Sequence, residues 1–250
     1  MLAAFQSLDV WQLLCLTISA LLIGINKTAL PGLGLLPVML LVSAFDAKSS
    51  TGLQLGMLAA TDIFAVLWYR RYADWRLLLQ LLPWAVAGLL IGCVILQFVP
   101  TDRSMKILIG ATVLALAVLN FVRTHLRPEQ IPSGLAFSAF FGILLGSTTL
   151  LANAAGPVAA IYFLSMRLPK EKYMGTTAWF FLLINWIKLP LFVAQGRITM
   201  QSVCLDIWML PVLLAGAAAG ILLFKKMPQK VFNLAVQLLV IAAAVKLLLS

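Results

Sequence analysis

Residues 24–37 read GINKTALPGLGLLP, and the fold turns on how they are read. Asn26, Lys27 and Thr28 stand together, then Pro31, Gly32 and Gly34, while residues 10–25 before them and 35–45 after them carry no charge. In water the stretch would be a surface turn with Lys27 solvated. In a bilayer it is a helix broken at depth, which is tolerated only where protein or a water-filled cavity satisfies the freed backbone groups.

Composition decides which solvent applies. The chain of 250 residues is 63% hydrophobic and 10% charged, against about 25% charged for a soluble domain. Apolar stretches of about 20 residues, the length that spans a hydrocarbon core of about 30 Å, recur from end to end. The chain therefore reads as an all-α polytopic membrane protein. No basic n-region or small-residue cleavage site accompanies the first apolar segment, so no removable signal peptide is expected. The net charge of +10 comes from basic residues lying mostly between apolar runs, which points to topology rather than to nucleic acid. Cys15, Cys93 and Cys204 stand singly inside apolar segments and read as packing residues. No metal or cofactor motif is present.

Apolar segments lie near 10–25, 29–45, 51–69, 76–98 and 103–122. After the polar stretch RTHLRPEQIP they resume near 133–150, 154–166, 173–194, 203–224 and 229–249. This divides the chain into a first transmembrane repeat (1–122), a cytoplasmic linker (123–132) and a second repeat (133–250). Pro83 aligns with Pro211, Gly88 with Gly216, Gly92 with Gly220 and Pro100 with Pro228, all 128 apart by subtraction. Gly52 pairs with Gly175 and Asp62 with Asn185, 123 apart; further back Pro37 pairs with Pro157 and Thr28 with Thr148. An odd number of segments per half turns the second half upside down. Loops 69–76, 123–132, 166–172 and 224–230 hold eleven basic residues, against Lys48, Arg103, Lys106 and Arg197 on the other side. That bias places the first set in the cytoplasm and both termini outside. The opening two segments of each half are short, either full crossings or broken, re-entrant pairs, so the total is eight to ten transmembrane segments in two inverted-topology repeats.

Short Gly/Pro-interrupted segments at matching places in inverted repeats point to the midplane site of a secondary transporter. The counterpart of the opening stretch is GSTTLLANAAGP (146–157). Candidate substrate-binding residues are Asn26, Lys27, Thr28, Gly32 and Gly34 in the first break and Ser147, Thr148, Thr149, Asn153 and Gly156 in the second. Half-helix ends offer free N–H groups and a positive dipole to an anion, and Lys27 adds a full charge. Asp62 and Lys188 lie well inside apolar segments, where a charge costs about 2.5–3.5 kcal/mol on insertion scales and usually faces a cavity or a partner. Lys188, with Asn185 one turn before it, joins the candidate site, unless its side chain snorkels. Asp62 is the candidate for carrying a coupling proton, unless it only pairs with a basic neighbour. Trp179, Phe180 and Phe181 read as lipid-facing or core residues, Arg70, Arg71 and Asp74 as loop charges, and His125 as solvated.

The segments NKTALPGLGLLPV, STG, YRRYADWR…LPW, NAAGPV, GTTAWFFLLINWIKLP and LPVLLAG together resemble the TauE/SafE sulfite-exporter family. The likeness covers nearly the whole chain and is most specific in the paired loop-and-GPV segments and the ADWR turn. It implies a multi-pass protein of the bacterial inner membrane that exports or imports sulfite or organosulfonates. Relatives are glycine-rich where this chain has GSTTLLANAAGP, so another small oxyanion or a carboxylate stays open as substrate. The expected partners are a small anion, the bilayer, a proton or sodium gradient for coupling and, as a candidate assembly, a homodimer. A membrane-embedded enzyme would need a nucleophile–base set or a metal cluster. A scaffold would have no use for matched polar breaks. Without GxxxxGK[ST], ATP-driven transport by this chain alone is not expected.

Overall fold

The computed structural model describes residues 8–31, 33–98, 101, 103–104, 107, 134–236 and 238. In chain order the helices are α1 (Val10–Thr28), α2 (Leu35–Ala44), α3 (Ala47–Tyr69), α4 (Trp75–Gln97), α5 (Leu135–Ala152), α6 (Gly156–Ser165), α7 (Lys170–Ala194) and α8 (Met200–Lys226). A 3-10 turn, Arg70–Tyr72, follows α3, and residues 229–236 are helical beyond α8. No strand occurs among the described residues. Gly32, the linker 123–132 and most of the segments expected near 103–122 and 229–249 lie outside the described residues.

Helices begin where the sequence supplies an oxygen for the otherwise unpaired first N–H groups. Asp9 and Gln12 form a capping box on α1, and Thr199 and Ser202 form one on α8. Asp46 and Asp74 cap α3 and α4. Among the described residues six helices are long and apolar enough to cross a membrane: α1, α3, α4, α5, α7 and α8. Helices α2 and α6 have ten residues each, about 15 Å at 1.5 Å per residue, roughly half a hydrocarbon core.

Each short helix folds back on the long one before it. Gln12 Nε2 donates to Ala44 O at 3.1 Å, joining the start of α1 to the end of α2. The Ser138 and Tyr162 hydroxyls lie 2.9 Å apart, joining the start of α5 to the end of α6. Both pairs are hairpins, and they open in opposite directions. From α6 the chain runs into Lys170, whose Nζ donates to Phe224 O at 3.2 Å, while Lys225 lies 4.9 Å from the Trp68 ring, so three of the basic loops share one face. From α2 the chain runs to Lys48, which lies against Gly196 at the other end.

Glycines set how the halves interlock. A Cβ on Gly24 would strike Leu213 O and Ala217 N, and one on Gly146 would strike Ala85 O and Leu89 N. Helix α1 thus docks on α8 of the other half, and α5 on α4, through glycines 122 apart and partners 128 apart by subtraction. Gly220 faces Thr28 and Gly92 faces Leu150 in the same relation. Thr28 is therefore equivalent to Leu150 and not, as the sequence pairing had it, to Thr148. Close approach requires the absence of a Cβ, so the glycines and not the hydroxyls set the register. Between the halves, α3 and α7 meet with Asp62 against Asn185 at 2.6 Å, two residues at equivalent positions. The exchange of partners and the opposed hairpins are compatible with two inverted repeats about an axis through this pair. Helix α3 is innermost, with 72% of its apolar window buried. Trp11, Leu79, Leu90, Val94 and Leu222 point outward, a surface suited to lipid.

Candidate functional site

The tips of the two hairpins meet where α3 and α7 come together. Helix α1 stops at Thr28, ahead of Pro31, whose ring and missing N–H disfavour its continuation. Helix α5 stops at Asn153, which adopts the left-handed conformation (φ 50°) that Asn tolerates better than most residues. A Cβ on Gly156 would lie 3.5 Å from Pro31 O, so the two tips face each other with about the space of one methyl group between them. Beside them is a cavity of about 40 Å³, room for roughly three waters. Asn26, Lys27, Pro31 and Gly34 line it from the first hairpin, and Thr149, Asn153 and Gly156 from the second. Gln54 and Leu58 enter from α3, Thr177, Phe181 and Asn185 from α7. Gln54 and Thr177, like Leu58 and Phe181, lie 123 positions apart by subtraction, and Lys27 and Thr149 lie 122 apart, a lining compatible with a cavity on the axis of two inverted repeats.

One polar network runs behind it. Lys27 Nζ lies 2.6 Å from Asp62 Oδ1, both side chains buried. Its ammonium also stands 4.2 Å from the centroid of the Phe181 ring, a cation–π contact. Asn185 Nδ2 donates to Asp62 Oδ2, and Asn185 Oδ1 accepts from Lys188 Nζ at 3.1 Å. Lys188 Nζ donates further to Asn153 Oδ1 at 2.7 Å, Thr149 O at 3.0 Å and Thr149 Oγ1 at 2.9 Å. Asn153 Nδ2 donates to Thr51 O at 2.8 Å. Both amides are thereby oriented, since each offers its nitrogen to an oxygen that only accepts. Three carbonyl oxygens around Lys188 then call for all three N–H bonds of an ammonium. Two ammoniums and one carboxylate leave one unbalanced positive charge.

Two carboxamides await a partner. Asn26 and Gln54 are 9% and 2% exposed, both line the cavity, and neither side chain makes a hydrogen bond among the described residues. Buried polar groups are nearly always bonded, so these amides are placed for a ligand or water. Among the described residues no group of three or more His, Cys, Asp or Glu side chains is placed to hold a metal.

The structure brings Asn26, Lys27, Gly34, Thr149, Asn153, Gly156 and Asn185 to the cavity wall; Gly32 lies outside the described residues. The remaining candidates stand elsewhere. Ser147 and Thr148 spend their hydroxyls on carbonyls of their own helix, and Thr28 Oγ1 donates to Gly24 O or Ala217 O. Lys188 is fully buried one layer behind the wall, held by oxygens of Thr149, Asn153 and Asn185. Sequence reading missed Gln54 and Thr177, which lie in ordinary helical stretches without a break or charge to mark them. It also read Phe181 as lipid-facing or core, whereas the ring lines the cavity over Lys27. Arg197, read as a loop charge, is only 4% exposed, its Nη1 3.4 Å from Leu150 O and its guanidinium 4.6 Å from the Phe192 ring. Burial lowers its pKa to about 10, which leaves it charged at neutral pH.

Apolar helices around a buried, net-positive cavity at two helix breaks define a multi-pass helical membrane protein with an internal polar site. The sequence model of the family described as Sulfite exporter TauE/SafE matches residues 16–247, nearly the whole chain, and the chain belongs to that family. Membership makes it a membrane transport protein of the anion-exporter type. Neither a curated protein nor a solved structure gave a match.

Proposed function

We propose that this protein is a secondary transporter of small sulfur-containing anions, sulfite or organosulfonates, bound near mid-membrane between the two hairpin tips. The observation that carries this is the unbalanced positive charge beside two unbonded amides in a cavity at the two hairpin tips. An anion that leaves water needs fixed donors and a counter-charge. Lys27 Nζ, Asn26 Nδ2 and the Gln54 amide face the anion directly from the cavity wall, and Lys188 adds its charge through Thr149, Asn153 and Asn185. A cavity of about 40 Å³ suits a compact oxyanion such as sulfite better than a sulfonate with a long chain.

Asp62 is the coupling group of this proposal. It occupies Lys27 when no substrate is bound, and an arriving anion competes for the same ammonium and frees the carboxylate to take a proton. On this reading the basic loops are cytoplasmic, the membrane is the bacterial inner membrane and both termini lie outside, with a homodimer as candidate assembly. The test is flux of labelled sulfite, taurine, sulfate and acetate in proteoliposomes under imposed pH, sodium and voltage gradients. Sulfite flux that responds to a proton gradient supports the proposal. Flux confined to a carboxylate, or none for any sulfur anion, overturns it.

A further inference from the structure

A second, wider cavity of about 570 Å³ opens on the basic face. Tyr69, Arg70, Arg71, Lys170, Glu171 and Lys225 are among the residues that line it. Four cations against one carboxylate leave it strongly positive. Arg70, Arg71 and Lys225 are exposed, and neither arginine has a carboxylate within ion-pair distance among the described residues. Lys170 is partly committed, to Phe224 O and Met227 O and, at 3.8 Å, to Glu171.

Tyr69 connects this cavity to the inner one. It ends α3 and is 2% exposed, with its ring edge-on to Phe224 at 5.3 Å. Its hydroxyl donates to Thr28 O at 2.7 Å. Thr28 is the last residue of α1, next to Lys27, which lines the inner cavity. One side chain thus forms wall in the outer cavity and bonds the backbone carbonyl beside the inner cavity's ammonium. That bond satisfies a carbonyl the helix end leaves free and holds the hairpin tip against α3.

We propose that the basic cavity is a loading vestibule for small oxyanions and that the Tyr69–Thr28 contact is the gate between it and the inner site. The inference rests on the transport reading above and adds to it a route along which the anion is concentrated. The positive lining raises the local anion concentration, an effect that weakens with ionic strength. Opening requires the hydroxyl to leave Thr28 O and the ring to swing from Phe224.

The test uses the full chain in vesicles of phosphatidylcholine alone, with sulfite as probe, at low and high ionic strength. The variants are Arg70→Gln/Arg71→Gln/Lys225→Gln together, and Tyr69→Phe. The triple variant should lose several-fold in initial flux at low salt and most of its salt dependence, while sulfite-induced thermal stabilisation, which reads the inner site, stays within twofold of the parent in apparent Kd. Tyr69→Phe, which removes the bond to Thr28 O that holds the gate shut, should raise flux with that Kd likewise preserved, and parental flux in this variant overturns the gate. A parent that transports sulfite alongside a triple variant with parental flux and salt dependence overturns the vestibule alone. A triple-variant defect seen only when anionic phospholipid is added also overturns it, by assigning the groove to lipid headgroups. A parent with no sulfur-anion flux overturns the transport reading and the vestibule with it.

Discussion

Replacing Asp62 with asparagine should weaken the protein and strengthen its response to an anion. Asp62 holds Lys27 Nζ at 2.6 Å with one oxygen and accepts from Asn185 Nδ2 with the other. An amide in the same place has one acceptor oxygen, so it can keep only one of these partners. Removing one member of a buried pair costs about 3–5 kcal/mol; because the amide retains an acceptor, Asp62→Asn should fall at the low end, about 3 kcal/mol. The cluster's charge rises at the same time from one excess positive to two. Unit charges 4 Å apart attract by about 4 kcal/mol at an effective dielectric of about 20. If about a third of that survives desolvation, affinity rises roughly tenfold, since about 1.4 kcal/mol is one decade. Lys27→Met moves the excess to zero and should abolish the response. The assay is thermal unfolding in detergent, followed by tryptophan fluorescence, with sulfite titrated against chloride at constant ionic strength; bound ligand raises the midpoint by linkage. The expected result for Asp62→Asn is a lower midpoint without sulfite and a larger sulfite-induced rise. If its sulfite response vanishes as in Lys27→Met, Asp62 does not compete with the anion for Lys27 and the reasoning fails.

Other substitutions separate the cavity wall from its support. Lys188→Met strands three carbonyl oxygens, each left unpaired at a cost of about 1–3 kcal/mol, read as lost folded yield in size-exclusion chromatography; parental yield would contradict the network. Thr148→Val, which removes a hydroxyl bonded only within its own helix, should stay within about 0.5 kcal/mol and keep parental sulfite affinity. Asn26→Leu and Gln54→Leu remove amides that are unbonded without ligand, so the unfolding midpoint should hold or rise while sulfite affinity drops several-fold; a lower midpoint with unchanged affinity would show the amides to be structural. Asp206, on α8, has a buried oxygen without a partner and packs against Gly56, so Asp206→Asn should be neutral or stabilising; a loss above about 2 kcal/mol would reveal a partner. Gly146→Ala places a methyl onto Ala85 O and should reduce folded yield sharply, whereas Gly34→Ala, with its nearest neighbour at 3.5 Å, should not.

Membrane residence and the helical class were legible in residue order alone, because a bilayer requires long apolar runs. Prolines and glycines kept in step along the chain pointed to two related halves, an expectation with which the packing is compatible. The polar breaks were legible for the same reason: Lys27 with Pro31, or three hydroxyls with Asn153, conflicts with its apolar surroundings wherever it occurs. Lys188 and Asp62 announced themselves by charge. What each of them touches could not be read that way. Lys27 found its carboxylate 35 positions on by subtraction, and Lys188 saturated itself on Thr149, Asn153 and Asn185, which moved it off the wall. Those outcomes depend on the relative rotation of α1, α3, α5 and α7, set by glycines that let backbones touch. The same rotation brought Gln54, Thr177 and Phe181 to the cavity, residues whose types are ordinary in a helix and whose direction is everything. A sequence records how costly a group is to bury; only the packed helices decide which partner meets that cost, and which groups are left facing the space a ligand would fill.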